Sequence, residues 1–206
     1  MSTEPGAPRP WPARLARHAL PLALALLAIA VMVGGRDLRL WLRFDREAIL
    51  HGEVWRLATA HLAHLGWQHL ALNLAGLGLI WLLFGRAYTM AQWFVVLAVS
   101  MLGVSLGVLA LLPAVHWYVG LSGVLHGLFV AGALASLAAG YRAELLLLGL
   151  LIAKLAWEQM HGALPGSERL AGGDVLVESH LFGAIAGLLA AAVLLARARR
   201  GGGEPS

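Results

Sequence analysis

The sequence predicts an all-α membrane protein, a bundle of six transmembrane helices, and three observations predict it. Apolar residues fill 60% of the 206 positions and charged residues only 13%, about half the charge of an ordinary soluble domain. The charged residues fall in patches that leave long runs of Leu, Ala, Val and Gly between them. The length suits about six spans of roughly 20 residues each with their loops. Cysteine is absent, which excludes a disulfide scaffold, a thiol nucleophile and Cys-ligated metal. The net charge of +4 comes from residues that flank apolar runs without forming a long basic tract, so no nucleic-acid partner is expected.

The elements follow from the gaps between charges. A basic tail, residues 1–18 with Arg9, Arg14 and Arg17, precedes an uncharged first span at 19–34. Together they resemble a signal peptide. More spans follow and no clean cleavage site precedes Arg36, so the segment is read as a retained helix. A long outer loop occupies 35–65. In it Arg36, Asp37, Arg39, Arg43, Asp45, Arg46, Glu47, Glu53 and Arg56 alternate with Leu38, Leu40, Trp41, Leu42, Phe44, Ile49 and Leu50, the pattern of short amphipathic helices at the membrane interface. The second span is Trp67–Phe84. From Ala87 to Tyr141 no Asp, Glu, Lys or Arg occurs, enough for two spans, and Pro113 to Gly120 divides them into 90–112 and 121–140. The fifth span, 143–160, contains Lys154 and Glu158 at i and i+4, which can pair on one helical face. After the loop Gly162–Asp174 comes the sixth span, 176–196, and then a basic tail, 197–206. The six-span unit is thus 19–196.

An even number of spans puts both termini on one side. Eight basic residues (Arg9, Arg14, Arg17, Arg86, Arg142, Arg197, Arg199, Arg200) flank the spans there. Six lie on the opposite side: Arg36, Arg39, Arg43, Arg46, Arg56 and Arg169. The positive-inside rule then favours cytoplasmic termini.

Polar residues inside spans carry the functional information in so apolar a chain. They are His69, Asn73, Ser122, His126, Lys154, Glu158 and His180. With cytoplasmic termini the second, fourth and sixth spans all start at the outer face. His69 and Asn73 then lie in the first two outer turns, Ser122 roughly 3 Å and His180 roughly 7 Å below the start of their helices. Three helices place polar groups at one depth. A serine hydroxyl becomes a nucleophile when an imidazole takes its proton, and Ser122 with His180 supplies that pair. Acyl transfer needs fixed donors at the developing oxyanion. His69 and Asn73, at i and i+4, offer them beside the Ser122 backbone N–H. No acidic third member is expected at this depth, so the reading is a dyad. Gly123 and Gly127 follow Ser122, and Gly183 and Gly187 follow His180; such small-residue stripes let two membrane helices approach closely.

These motifs resemble the rhomboid intramembrane serine proteases: Gly120-Leu121-Ser122-Gly123 opening the fourth span, His69-x-x-x-Asn73 in the second, Trp55-Arg56 closing the first loop and His180-x-x-Gly183-x-x-x-Gly187 in the sixth. The resemblance runs from about Gly52 to Leu195. It implies a rhomboid-like bundle with Ser122 as nucleophile and His180 as base. The oxyanion hole would be His69, Asn73 and the Ser122 backbone, with Gly120, Gly123 and His126 shaping the surroundings. Trp55-Arg56 would shape the loop. Many rhomboids carry an aromatic residue four positions after the serine; here it is His126, and Gly-Leu-Ser-Gly-Val-Leu-His-Gly is similar to rhombosortases, the compact branch of Gram-negative bacteria. That similarity implies an inner-membrane enzyme needing no cofactor or metal. Its partners would be the lipid bilayer and membrane-anchored substrates with a C-terminal Gly-Gly, helix and basic end.

Three rivals stand beside this reading. A catalytically inactive relative that binds or escorts membrane helices would be expected to have lost Ser122 or His180. A small transporter would show a through-going polar path or an inverted repeat. His61-x-x-His64 with His69 resembles one di-iron desaturase box, but such enzymes need several clusters on the cytosolic side.

Overall fold

The computed structural model describes residues 18–201; the tails predicted at 1–17 and 202–206 lie outside the described residues. Long helices stand in the gaps between charges, and each boundary has a local cause. Helix α1 (Ala19–Val33) ends at Gly34, whose N–H still bonds Ala30 O. Gly35, at φ 86°, turns the chain into the amphipathic helix α2 (Gly35–Leu42). Strand β1 (Phe44–Asp45) follows, then α3 (Arg46–Leu50), capped by the Asp45 carboxylate accepting from Ala48 N, and α4 (Arg56–Thr59). Helix α5 is Trp67–Phe84. Helix α6 (Met90–Leu111) opens on a capping box formed by Thr89 and Gln92. After strand β2 (Trp117–Tyr118) come α7 (Ser122–Ala138), α8 (Glu144–His161), the short α9 (Ser167–Ala171) and α10 (Val177–Gly201). Helix α10 runs past the expected end at 196 because nothing in Ala196–Arg200 breaks a helix, and arginines suit its negative C-terminal end.

Among the described residues, α5, α6 and α10 are long and apolar enough to cross a membrane. Helices α1 and α7 are apolar but shorter, at 15 and 17 residues. Helix α8 is 18 residues long and carries Glu144, Lys154 and Glu158. The core is formed by Leu77, Phe84, Trp93, Val96, Leu121, Val124 and Leu128 with Ala190 and Ala191. Leu82, Phe94, Leu146, Ile152 and Leu189 point outward and are exposed, the reverse of a water-soluble surface and the arrangement of an integral membrane protein.

The loop between α1 and α5 is pinned to the rest of the fold. Strands β1 and β2 pair antiparallel, Phe44 with Tyr118 and Asp45 with Trp117. Arg46 donates to Val108 O, Leu109 O, Leu112 O and Val115 O at 2.7–2.9 Å. Val108 O and Leu112 O also accept from Leu112 N and Val115 N, so Arg46 adds a donor where the end of α6 leaves its carbonyls short of partners. Arg56, buried, bonds Glu53 at 2.6 Å and the carbonyls of Leu40 and Arg43 at 3.0 Å. Trp55 packs on Trp41, ring centres 5.8 Å apart. The Trp55-Arg56 pair therefore ties the loop to itself.

Candidate active site

The site begins with a glycine. Gly120 has φ 127°, outside the helical region, so α7 cannot start before Leu121. A Cβ at this position would also lie 2.9 Å from His69 Cε1 and 3.0 Å from His69 Nε2. The turn is held by Gly120 N donating to Ala60 O at 3.1 Å and by Tyr118 Oη donating to Gly120 O at 2.8 Å. Burial pushes the Tyr118 phenol up to about 12, so it remains a donor. These constraints set Ser122 as the first residue of α7.

Helix α10 meets α7 along glycines. A Cβ on Gly183 would strike Gly123 O, and one on Gly187 would strike Gly127 O. In return, a Cβ on Gly123 would come within 2.7 Å of Ser179 O, and one on Gly127 within 2.7 Å of Gly183 O. The two backbones interlock. At the N-terminal end of this seam, Ser122 Oγ lies 3.0 Å from His180 Nε2. His180 is buried and Ser122 half-buried.

His69 and Asn73 sit on α5 facing the same space. Leu65 N donates to His69 Nδ1 at 3.4 Å, which leaves the proton on Nε2, the nitrogen turned toward Gly120. Asn73 is 4% exposed, and its Nδ2 is a buried donor without a hydrogen-bond partner. Buried donors are rarely left unpaired. A cavity of about 810 Å³ is lined by His69, Asn73, Ser122, His126, Glu158 and His180, and is roofed by Ala114–Val119 and Gly172–Leu176. The structure thus brings together all four residues of the sequence-predicted constellation.

His126 lies one turn below Ser122. Its ring stacks on His180, with centres 4.3 Å apart and planes 17° apart. Its Nδ1–H donates to Ser122 O at 2.8 Å, which leaves Nε2 to accept from Lys154 Nζ at 3.0 Å.

One expectation is corrected. An acidic residue does stand at the depth of the pair: Glu158 Oε2 is 2.9 Å from His180 Nδ1, and Glu158 is 3% exposed. Its other oxygen accepts from Lys154 Nζ at 2.7 Å. The signal is present in the sequence. A helix antiparallel to its neighbours ends at the face where they begin, and Glu158 lies in the last turn of α8.

Ligand atoms of His126, Glu158 and His180 lie within 4.8 Å of one another, close enough to grip a metal ion. The Lys154 ammonium already bonds two of these residues, so a second cation would have to displace a fixed positive charge. His61 and His64 do not line the cavity. The His61 ring bonds Met101 O and Ser105 Oγ, each at 3.0 Å. Burial pushes it down to about 4, partly offset by the carbonyls of Met101, Gly120 and Leu57.

No curated protein matches the chain at a significant level. The sequence model of the Rhomboid domain matches residues 51–197, from within the loop before α5 into the last helix. On a match covering more than two thirds of its length, the protein belongs to the rhomboid family, whose members are typically intramembrane serine proteases.

Proposed function

We propose that this protein is an active intramembrane serine endopeptidase in which Ser122 is the nucleophile and His180 the general base. The observation that carries this is the 3.0 Å contact between Ser122 Oγ and His180 Nε2 at the head of a glycine-locked helix pair. His180 takes the serine proton as Oγ attacks the scissile carbonyl. The charge that develops on the carbonyl oxygen meets the Ser122 N–H, the free Asn73 amide and the His69 Nε2–H. When the tetrahedral intermediate collapses, the C–N bond breaks and His180 returns its proton to the leaving amine. A water in the cavity then repeats the sequence on the acyl-enzyme.

In this reading all six long helices span the membrane of a bacterial cell, with both termini cytoplasmic. Helix α7, at 17 residues, is about 25 Å long against a hydrocarbon core of about 30 Å. The shortfall at its outer end keeps Ser122 below the membrane surface but within reach of water.

The substrate class follows from the likeness to rhombosortases: proteins anchored by a C-terminal Gly-Gly, a membrane helix and a basic end. Glycine lacks a side chain to obstruct the cavity and weakens a helix by about 1 kcal/mol relative to Ala, so a helix end there unwinds and presents its carbonyls. The protein in liposomes should become covalently labelled by a fluorophosphonate probe, and Ser122→Ala should not. An unlabelled parent would favour the inactive, helix-binding alternative. Gly-Gly and Ala-Ala versions of one anchored substrate then test the specificity; equal cleavage removes the rhombosortase reading and leaves the protease.

A further inference from the structure

We propose that Glu158 completes a Ser-His-Glu triad as a positioning residue, held ionised inside the membrane by Lys154; this rests on the Ser122–His180 reading above. The side chains form a closed circuit. Ser122 Oγ donates to His180 Nε2, and His180 Nδ1–H donates to Glu158 Oε2. Lys154 Nζ donates to both Glu158 Oε1 and His126 Nε2, and His126 Nδ1–H returns to Ser122 O. Because Glu158 only accepts, the His180 proton sits on Nδ1, and Nε2 is bare to take the serine proton. The opposite tautomer would carry a proton on Nε2 and could not act as base.

Charge balance favours the arrangement. At rest the Lys154 ammonium and Glu158 carboxylate cancel, so neither is an isolated charge in a span. On attack the serine proton moves to His180 Nε2, and the Oγ–C bond forms as the carbonyl π pair moves to oxygen. The new imidazolium then faces Glu158, and the oxyanion faces the α5 donors. Glu158 stays ionised throughout, and the Nδ1 proton does not transfer. Lys154 also acts through His126. By donating to His126 Nε2 it fixes that ring against the face of His180, so His180 can neither tilt nor rotate away from Ser122. The charged or titratable groups around His180 are Glu158 and Lys154 on α8, His126 on α7 and His69 on α5.

The test uses the full chain in liposomes and the fluorophosphonate probe, separating the maximal labelling rate from the probe concentration at half-maximum. Glu158→Gln keeps the shape but presents an amide donor to Nδ1, forcing the wrong tautomer. Its maximal rate should fall about 10²- to 10⁴-fold with the half-saturating concentration unchanged. Added formate should restore part of the rate to Glu158→Ala. Independently of any variant, ¹⁵N-histidine spectra of the parent should place the His180 proton on Nδ1. A Glu158→Gln rate within threefold of the parent, with Ser122→Ala unlabelled, overturns the triad and leaves the Ser-His enzyme standing. A parent His180 protonated on Nε2 likewise overturns the triad. Equal labelling of Ser122→Ala and the parent overturns both readings.

Discussion

Helices α7 and α8 both contribute to the site but are built on opposite principles. Helix α7 buries ten of its 17 residues, from Gly123 to Ala135, and meets α10 backbone to backbone. Helix α8 buries two of its 18, Leu155 and Glu158, and exposes Leu145, Leu146, Leu150, Ile152 and Met160. The first is positioned by shape, since a side chain on Gly123 or Gly127 would collide with a carbonyl and one on Gly132 with Phe84. The second is positioned by charge, through Glu158 and Lys154. Shape matching tolerates no added methyl, whereas charge matching tolerates a sparsely packed helix if its few polar contacts are made. The difference teaches that Ser122 and His180, the proposed nucleophile and base, share a rigid seam, while Lys154 and Glu158, proposed to tune them, arrive on a lightly held flank.

The largest expected effect comes at the seam. Ser122→Ala and His180→Ala should each abolish cleavage and probe labelling while leaving insertion and melting temperature near the parent's. Acting as one unit, they should be strongly non-additive, with the double variant no worse than either single. Next comes the wall facing the seam: Asn73→Ala should lower turnover by about 10²- to 10³-fold with the Michaelis constant unchanged. A change confined to the Michaelis constant would instead make Asn73 a binding residue.

Breaking the shape match itself should cost stability first. Gly183→Val drives a branched side chain into Gly123 O, an overpacking worth about 1–3 kcal/mol, read as a lower melting temperature together with slower labelling. A further effect depends on pH. His61, held near 4 by burial against an ordinary value of 6.5, is neutral in the folded protein and charges more readily when unfolded. Its contribution is therefore complete above pH 6.5 and is lost as pH falls toward 4, by about 3 kcal/mol at most. The melting temperature should fall across that range less steeply in His61→Gln than in the parent. The smallest effect sharpens the contrast: Leu150→Ala, on the exposed face of α8, should change stability by less than about 0.5 kcal/mol and leave labelling intact.

The sequence and the structure agree where the signal is local and diverge where it is not. Gaps between charges place the long helices, because each uncharged run is itself the cause of its element. Ser122 and His180 are legible because glycines at i+1 and i+5 of one and i+3 and i+7 of the other advertise a close crossing. Glu158 escapes because its spacing from Lys154 satisfies a local rule, the i,i+4 pair, which hides that its second oxygen reaches 22 residues along the chain to His180. Arg46 escapes for a similar reason: its partners lie 62 to 69 residues away, and in sequence it is one arginine among several in a loop. The pairing of Phe44 with Tyr118 spans two residues on each strand, too few for alternation to reveal.

The 58-residue separation between Ser122 and His180 has a consequence in time. Domains emerge from the ribosome N-terminus first, so the chain carries its serine into the membrane before any residue able to activate it exists. Glu158 arrives second and still lacks the imidazole it would orient. Only when α10 slides into the glycine groove of α7 does the hydroxyl meet a proton acceptor, and that same docking completes the bundle. On the proposed mechanism, hydrolytic competence then waits for α10, and a chain cut short before His180 would be inert toward itself and its neighbours.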